Sequence, residues 1–117
     1  MHRQESRSEF GIIKIHKNVI ASIASLAAAE IEGVKRVGSS RKNSILNFFN
    51  RNTLPEIKVD IDKNEEVRLD VPIVIIYDFN IPDVSNKVQD NIRSSLEKMT
   101  SLLIRDVNIS VQGIERS

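Results

Sequence analysis

The chain has 117 residues, of which 40% are apolar and 28% are charged, and its formal net charge is +1. This length and balance are typical of one small globular domain that buries a core without a metal or a disulfide. Because the chain contains no cysteine, disulfides, zinc–thiolate centres and thiol nucleophiles are excluded. Four phenylalanines, one tyrosine and no tryptophan argue against an aromatic platform for single-stranded nucleic acid.

Charge is distributed unevenly along the chain. Residues 1–54 hold nine lysines and arginines against four acidic residues, whereas residues 55–117 hold eight against twelve. Such a chain attracts an anionic surface or its own copies, although an uneven spread over solvated faces explains the same counts. Residues 1–9 are polar, and no run approaches the roughly 20 apolar residues of a membrane span. We expect residues 1–9 to be a disordered tail and the protein to be cytoplasmic.

The first predicted elements are a strand and a helix. Residues 10–15 are rich in β-branched side chains, which favours a strand. Over residues 17–31 apolar side chains recur every three or four positions, and Gly33 follows as a stop signal, so a helix is predicted there. Residues 34–37 predict a brief strand. Residues 44–50 are apolar over two turns and predict a short helix.

The second half of the chain predicts a hairpin, a helix and a strand. Residues 56–62 and 67–78 alternate apolar and polar side chains on either side of a polar turn, as half-buried strands do. Pro82 suits the first turn of a helix. The apolar stripe of that helix consists of Val84, Val88, Ile92, Leu96 and Met99. Residues 107–112 alternate again as a final strand. We predict an α+β two-layer sandwich, with two long helices packed on one face of a three- to five-stranded, mostly antiparallel sheet.

No arrangement of residues predicts catalysis. His2 and His16 have no nucleophile or second ligand at a recognisable spacing, and capping or solvation explains His16 at a strand-to-helix junction. Asp60-x-Asp62-x-Asn64 matches the first three ligand positions of a calcium loop, but the later glycine and glutamate of such a loop are missing. The sequence therefore predicts no catalytic residue, no cofactor and no metal site.

Three phrases of the sequence, in this order, resemble one known family. The first runs from Gly11-Ile12-Ile13 through Val19-Ile20 to Glu30-Ile31-Glu32-Gly33-Val34. The second runs from Ile75-Ile76-Tyr77 through Ile81-Pro82-Asp83-Val84 to Val88-Gln89, and the third from Met99-Thr100 through Val107-Asn108-Ile109 to Gly113-Ile114. They resemble the alkaline shock proteins, a general-stress and cell-envelope stress family of bacteria. The resemblance covers about residues 10–114 and implies a single domain over residues 10–117.

The resemblance implies a non-enzymatic protein of envelope homeostasis. By that resemblance it gathers at the inner face of the cell membrane, associates with itself and with a membrane-anchored partner, and has no small-molecule substrate. The alternative is a soluble regulator that binds one enzyme of lipid metabolism or a ribonucleoprotein. The sequence lacks the aromatic pair on a strand and the Gly-x-x-Gly loop of RNA-binding domains, which argues against nucleic acid.

Two surfaces are candidates for contact with another molecule. In a variable segment, residues 39–54, a short helix gathers apolar side chains between positive charges, as an interfacial helix does. The candidate partner or membrane contacts there are Arg41, Lys42, Ile45, Phe48, Phe49 and Arg51. Packing of this segment into the core is the competing interpretation. Val74 and Ile76 fall on the face opposite the helices, which predicts self-association unless segment 39–54 covers them.

Overall fold

A computed structural model describes residues 2–38 and 56–117, with side chains from His16 onward. Within these ranges the chain forms two helices and four strands, which confirms the α+β class. In chain order they are α1 (His2–Ala29), β1 (Val34–Val37), β2 (Lys58–Ile61), β3 (Glu66–Ile76), α2 (Ile81–Met99) and β4 (Leu103–Glu115). The short helix predicted at residues 44–50 lies outside the described residues.

Helix α1 is longer than the sequence predicted. It runs without interruption from His2 to Ala29, so the strand predicted at residues 10–15 is wrong, and residues 2–9 are helical where a tail was expected. β-branched residues lower helix propensity by only about half a kcal/mol each, and a nucleated helix gains one hydrogen bond for each residue it adds. Continuity with the helix that follows therefore outweighs the local composition of residues 10–15.

The turn after α1 depends on a glycine, as predicted. Gly33 has a φ of +103°, in the left-handed region that glycine enters without steric cost. A Cβ at this position would lie 2.8 Å from both Phe79 Cδ2 and Val84 Cγ2. The Gly33 carbonyl also accepts a 2.8 Å hydrogen bond from the backbone N–H of Ile76. Glycine is thus required both for the backbone conformation and for the close approach of the segment that begins α2.

Strand β3 is the centre of the sheet. β4 pairs with it in parallel along its whole length, from Leu103 beside Glu66 to Glu115 beside Ile76. β2 and β1 both pair with β3 antiparallel, and since a strand has only two edges they must share the other one. The described sheet has four strands, within the predicted range, and two of its three pairings are antiparallel. The third is parallel because α2 supplies the long crossover that parallel neighbours need.

The core is built on the odd-numbered residues of β3. Val67, Leu69, Val71, Ile73 and Ile75 are each at most 1% exposed. The same buried cluster includes Ile20, Ala24 and Ala27 from α1 and Val84, Val88, Ile92 and Leu96 from α2. Each such aliphatic side chain contributes roughly 1.5–3 kcal/mol when it is fully buried. The alternation predicted for β3 and four positions of the stripe predicted for α2 are thereby confirmed.

Two residues predicted to face inward are exposed. Met99 is 70% exposed, because α2 ends there and Thr100 caps it by donating its N–H to the carbonyl of Leu96. Tyr77 is 64% exposed, because β3 ends at Ile76 and the backbone turns through Asp78, which has a φ of +80°. Met99 is the last residue of α2 and Tyr77 follows the last residue of β3, so each prediction carried the buried period of an element too far toward its end.

Candidate interaction surface

The contact residues predicted from the sequence fall into two groups. Arg41, Lys42, Ile45, Phe48, Phe49 and Arg51 lie outside the described residues, so that surface stays a prediction. Val74 and Ile76 lie on the even-numbered face of β3, opposite the core, as the alternation predicts. Val74 is nevertheless only 1% exposed within the single chain, and Ile76 is half-buried. Val74 therefore needs no second subunit to cover it, and self-association through this pair stays a prediction.

An ion pair crosses the even-numbered face at the level of these two residues. Arg36 of β1 stands opposite Val74, and Glu115 of β4 stands beside Ile76. The two side chains meet across β3 in a bidentate pair, with Arg36 Nη1 donating to Glu115 Oε1 over 2.9 Å and Nη2 donating to Oε2. The hydrogen bond with Glu115 raises the pKa of Arg36. This pair ties both neighbours of β3 together over its last residues.

The rest of the even-numbered face is polar and solvated. A shallow depression of about 550 Å³ is lined by Lys58, Val59, Asp60, Arg68, Asp70 and Asn108. Asn108 Nδ2 donates to Asp70 Oδ1 over 3.1 Å, and Arg68 Nε lies 3.5 Å from Asp106 Oδ2. Positive and negative side chains alternate here, and they are exposed. In the described part of the chain no three metal-ligating side chains come together.

The residues that resembled a calcium loop form a hairpin turn. Asp62 Oδ1 accepts hydrogen bonds from the backbone N–H groups of Asn64, over 2.8 Å, and Glu66, over 3.1 Å. The bond from Glu66, followed by the bond from Asn64, holds the pKa of Asp62 below its ordinary value of 3.8. Glu65 completes the turn with a φ of +62°. The Asp62 carboxylate therefore acts as a local cap for the turn between β2 and β3.

His16 lies within α1 rather than at a strand-to-helix junction, and it is exposed. It borders a groove of about 300 Å³ between α1 and the end of α2. That groove is lined by His16, Val19, Ile20, Met99, Thr100, Ser101 and Leu102. The solvated interpretation of His16 agrees with this position, and the capping interpretation does not, because α1 continues on both sides of it.

Several exposed apolar side chains belong to residues near the end of the sheet where β3 and β4 finish. Five of them are Tyr77, Phe79, Ile81, Val111 and Ile114, which we call the apolar end surface. Val111 and Ile114 stand beside Ile73 and Ile75 of β3, and the backbone N–H of Tyr77 donates to the carbonyl of Glu115 over 2.6 Å. Apolar patches of this kind are typical of protein contact sites.

The apolar end surface adjoins an edge of the sheet that α2 leaves uncovered. In the first half of β4, α2 covers the edge: Gln89 Nε2 donates to the carbonyl of Val107, and Arg93 donates to those of Ile104 and Arg105. Beyond these contacts, across the described ranges, no group outside β3 hydrogen-bonds the backbone of residues 108–114. We call residues 108–114 the open edge. The sequence predicted a strand over much of this stretch but gave no sign that it would be uncovered.

Comparison with known proteins finds one matching family and several similar proteins. A family model of the alkaline shock proteins, described as having a cell envelope-related function, matches residues 5–116. The chain is 34% identical over 109 residues to the uncharacterized protein YqhY of Bacillus subtilis, covering 92% of this chain and 80% of that protein. It is 30% identical over 115 residues to the uncharacterized protein YloU of the same bacterium, covering 94% and 93%.

The fold is similar to that of solved structures as well. Two variants of a protein named MamM CTD align with a TM-score of 0.52 at 10% identity. The alignments cover 84% of this chain and 98% and 96% of those chains. At this identity the likeness shows the fold alone. Neither helix in the described ranges combines the length and the hydropathy that a membrane crossing requires.

Proposed function

The chain belongs to the alkaline shock protein family, which has a cell envelope-related function, and from this we propose that it is a non-enzymatic scaffold or adaptor of the envelope stress response. It acts by binding proteins, itself among them, at the inner face of the cell membrane. The observation that carries the proposal is the apolar end surface beside the open edge. A protein whose task is binding needs such a patch, whereas an enzyme of this size needs a concave site with convergent polar groups.

We infer further that α1 and α2 both pack on the odd-numbered face of the sheet. The support is that residues of both helices share one buried cluster with the odd-numbered residues of β3. Around Arg68 and Asp70 the even-numbered face then points to solvent, in keeping with its exposed, alternating charges, whereas Val74 on the same face is buried. With helices on one face and solvated charges on part of the other, the end of the sheet and its β4 edge are the natural places for a partner to bind.

The membrane association in this proposal is peripheral. A membrane-anchored protein is the partner we propose for holding the chain at the envelope. Exposed apolar side chains such as Tyr77 and Phe79 supply the contact area for that partner.

Cell fractionation with a matched pair of variants tests the proposal. We expect the protein to sediment with membranes from its native cells and to be released by detergent. Tyr77→Ser should reduce the membrane-bound fraction, because Tyr77 lies in the apolar end surface. Leu26→Ser is the control, since Leu26 is similarly exposed, 68% against 64%, but lies on α1. Wild-type protein found only in the soluble fraction, bound to one enzyme, would favour the regulator instead.

A further inference from the structure

The open edge presents unpaired backbone groups in a defined order. The carbonyl of Val107 points away from β3, since Gln89 of α2 reaches it, and the carbonyl of Glu115 points toward β3, since Tyr77 donates to it. Successive residues of a strand alternate in this direction. Counting from Val107, the outward residues are therefore Ile109 and Val111. The register shift between Val111 and Gly113 inserts one residue, so the next outward residue is Ile114.

The same three outward residues carry apolar side chains, and no charged residue or proline protects them. Ile109 is half-buried, Val111 is 36% exposed and Ile114 is 49% exposed. From residue 107 to residue 114 there is no charged residue and no proline. Natural sheets block an exposed edge with lysine, proline or a covering element, and an apolar edge without them is a template for another strand. The one protective feature is the bulge at residues 112–113, which leaves three outward residues available.

We propose that the open edge pairs with the open edge of a second copy of this chain, in antiparallel orientation about Val111. The proposal deepens the proposed scaffold function by naming the surface through which copies associate. Reversing the strand onto itself places Val111 opposite Val111 and Ile109 opposite Ile114, twice by symmetry. On the other face the same register sets Ser110 opposite Gln112, so apolar side chains meet apolar ones and polar meet polar. A pairing of identical strands also sets any charge opposite its own copy, and residues 107–114 carry no charge that would oppose it. This uncharged edge favours a second copy as the occupant.

The charges around the open edge permit this register. The edge is flanked by Arg105 and Asp106 at one end and by Glu115 and Arg116 at the other. Antiparallel pairing brings each end of one copy toward the opposite end of the other. Each end holds one positive and one negative residue, so no block of like charge opposes another. Like charges placed together across an interface would disfavour the pairing.

The area available predicts a weak dimer. The seven residues of the open edge span about 23 Å. A strand pair of that length buries less than the roughly 800 Å² that each partner contributes to a standard stable interface. We therefore expect a dimer whose population rises with protein concentration.

Sedimentation of the full-length chain across a range of concentrations tests the pairing. Wild type should move from one to two chain masses, and Val111→Thr should do the same, because threonine keeps the shape and the backbone N–H. Val111→Lys should stay monomeric, since it sets two positive charges opposite each other. Val111→Pro should also stay monomeric, because it removes the outward N–H that would donate to the second copy. It should still fold, since an edge strand tolerates proline at such a position. Circular dichroism confirms that each variant is folded.

A crosslink measures the register directly. The chain has no cysteine, so Val111→Cys introduces a single thiol, and opposite residues of a hydrogen-bonded antiparallel pair lie about 5.5 Å apart at Cα, within disulfide range. Mild oxidation should yield a covalent dimer with Val111→Cys and none with Lys58→Cys, which lies on β2.

A wild type that is monomeric throughout overturns the proposal. So does an oligomer that Val111→Lys and Val111→Pro leave intact without any crosslink, because the copies then associate elsewhere. Membrane fractionation of the wild type is independent of these outcomes, so the scaffold function can stand when the pairing fails.

Discussion

The two halves of β4 place similar apolar side chains on one face of the sheet but have opposite surroundings. In the first half, Ile104 is 3% and Val107 1% exposed, and side chains of α2 occupy the outward carbonyls. In the second half, Val111 and Ile114 are 36% and 49% exposed, and the backbone edge is open. Both halves place β-branched residues on the odd-numbered face of the sheet. The difference therefore lies in what covers the strand.

Length explains why α2 covers only one half. Its 19 residues span roughly 28 Å at the rise of an α-helix. The 13 residues of β4 span about 43 Å at the rise of a strand. A crossover helix of that length cannot shield the whole of its strand. The comparison teaches that an apolar, alternating strand predicts a buried face only as far as another element reaches.

Alanine substitutions at matched isoleucines give the largest expected contrast between the halves. Ile104→Ala should lower the free energy of unfolding by about 2–5 kcal/mol, because it leaves a cavity in the core. Ile114→Ala, made on the same strand and face, should cost under about 1 kcal/mol in dilute protein, where Ile114 is exposed. Urea unfolding of both variants measures the difference. Equal losses would mean that the second half of β4 is as well covered as the first.

A glycine substitution tests the close packing of Phe79, a residue of the apolar end surface, against Gly33. Gly33→Ala should cost roughly 2–4 kcal/mol, from a strained positive φ together with the clash of a new Cβ against Phe79 and Val84. Gly38 is the control: its φ is +121°, but a Cβ there meets no atom of the described residues within 4 Å. Gly38→Ala should therefore cost only the strain, about 1–2 kcal/mol. Thermal unfolding compares the stability of the two variants. Equal losses would mean that a Cβ at position 33 does not clash with Phe79.

Removing one hydrogen bond between α2 and the first half of β4 tests whether the helix stabilises that half. Gln89→Ala should cost about 1 kcal/mol, because the Val107 carbonyl loses its 2.6 Å hydrogen bond from Gln89. Amide exchange of the neighbouring residues of β4 should become faster. Lys87→Ala is the control, since Lys87 forms only an exposed ion pair with Asp83, and it should change stability by under about 0.5 kcal/mol. An unchanged Gln89→Ala protein would show that the helix does not secure this half of the strand.

The smallest expected effect is the loss of stability in acid that comes from Asp62, in the turn between β2 and β3. Hydrogen bonds from Glu66 and Asn64 lower the pKa of Asp62 in the folded protein. The charged Asp62 therefore contributes to the free energy of unfolding at neutral pH. That contribution is lost as the pH falls below the ordinary value of 3.8. Stability measured by urea unfolding should fall more steeply with acid in wild type than in Asp62→Asn, which cannot titrate. Identical pH profiles would show that the Asp62 carboxylate does not secure the turn between β2 and β3.

The sequence predicted those elements whose pattern is local. The alternation of β3, the stripe of α2 from Val84 to Leu96 and the stop at Gly33 follow from spacing and backbone conformation, and all are confirmed. The strand at residues 10–15 failed because composition does not reveal that a neighbouring helix continues through it. The parallel pairing of β4 and its open edge depend on where α2 crosses the sheet. No pattern within β4 itself contains that information.

Amide exchange at the open edge, measured as a function of protein concentration, reports whether this edge pairs with a second copy. In dilute protein the outward amides of Val111 and Ile114 should exchange quickly, since across the described residues they have no hydrogen-bond partner. At high concentration both should become protected together, while the amide of Ile73, in the central strand with a neighbour on each side, keeps the same rate throughout. Rates at Val111 and Ile114 that do not change with concentration, in a protein that sediments as an oligomer, would contradict the assignment of the open edge as the surface where copies meet.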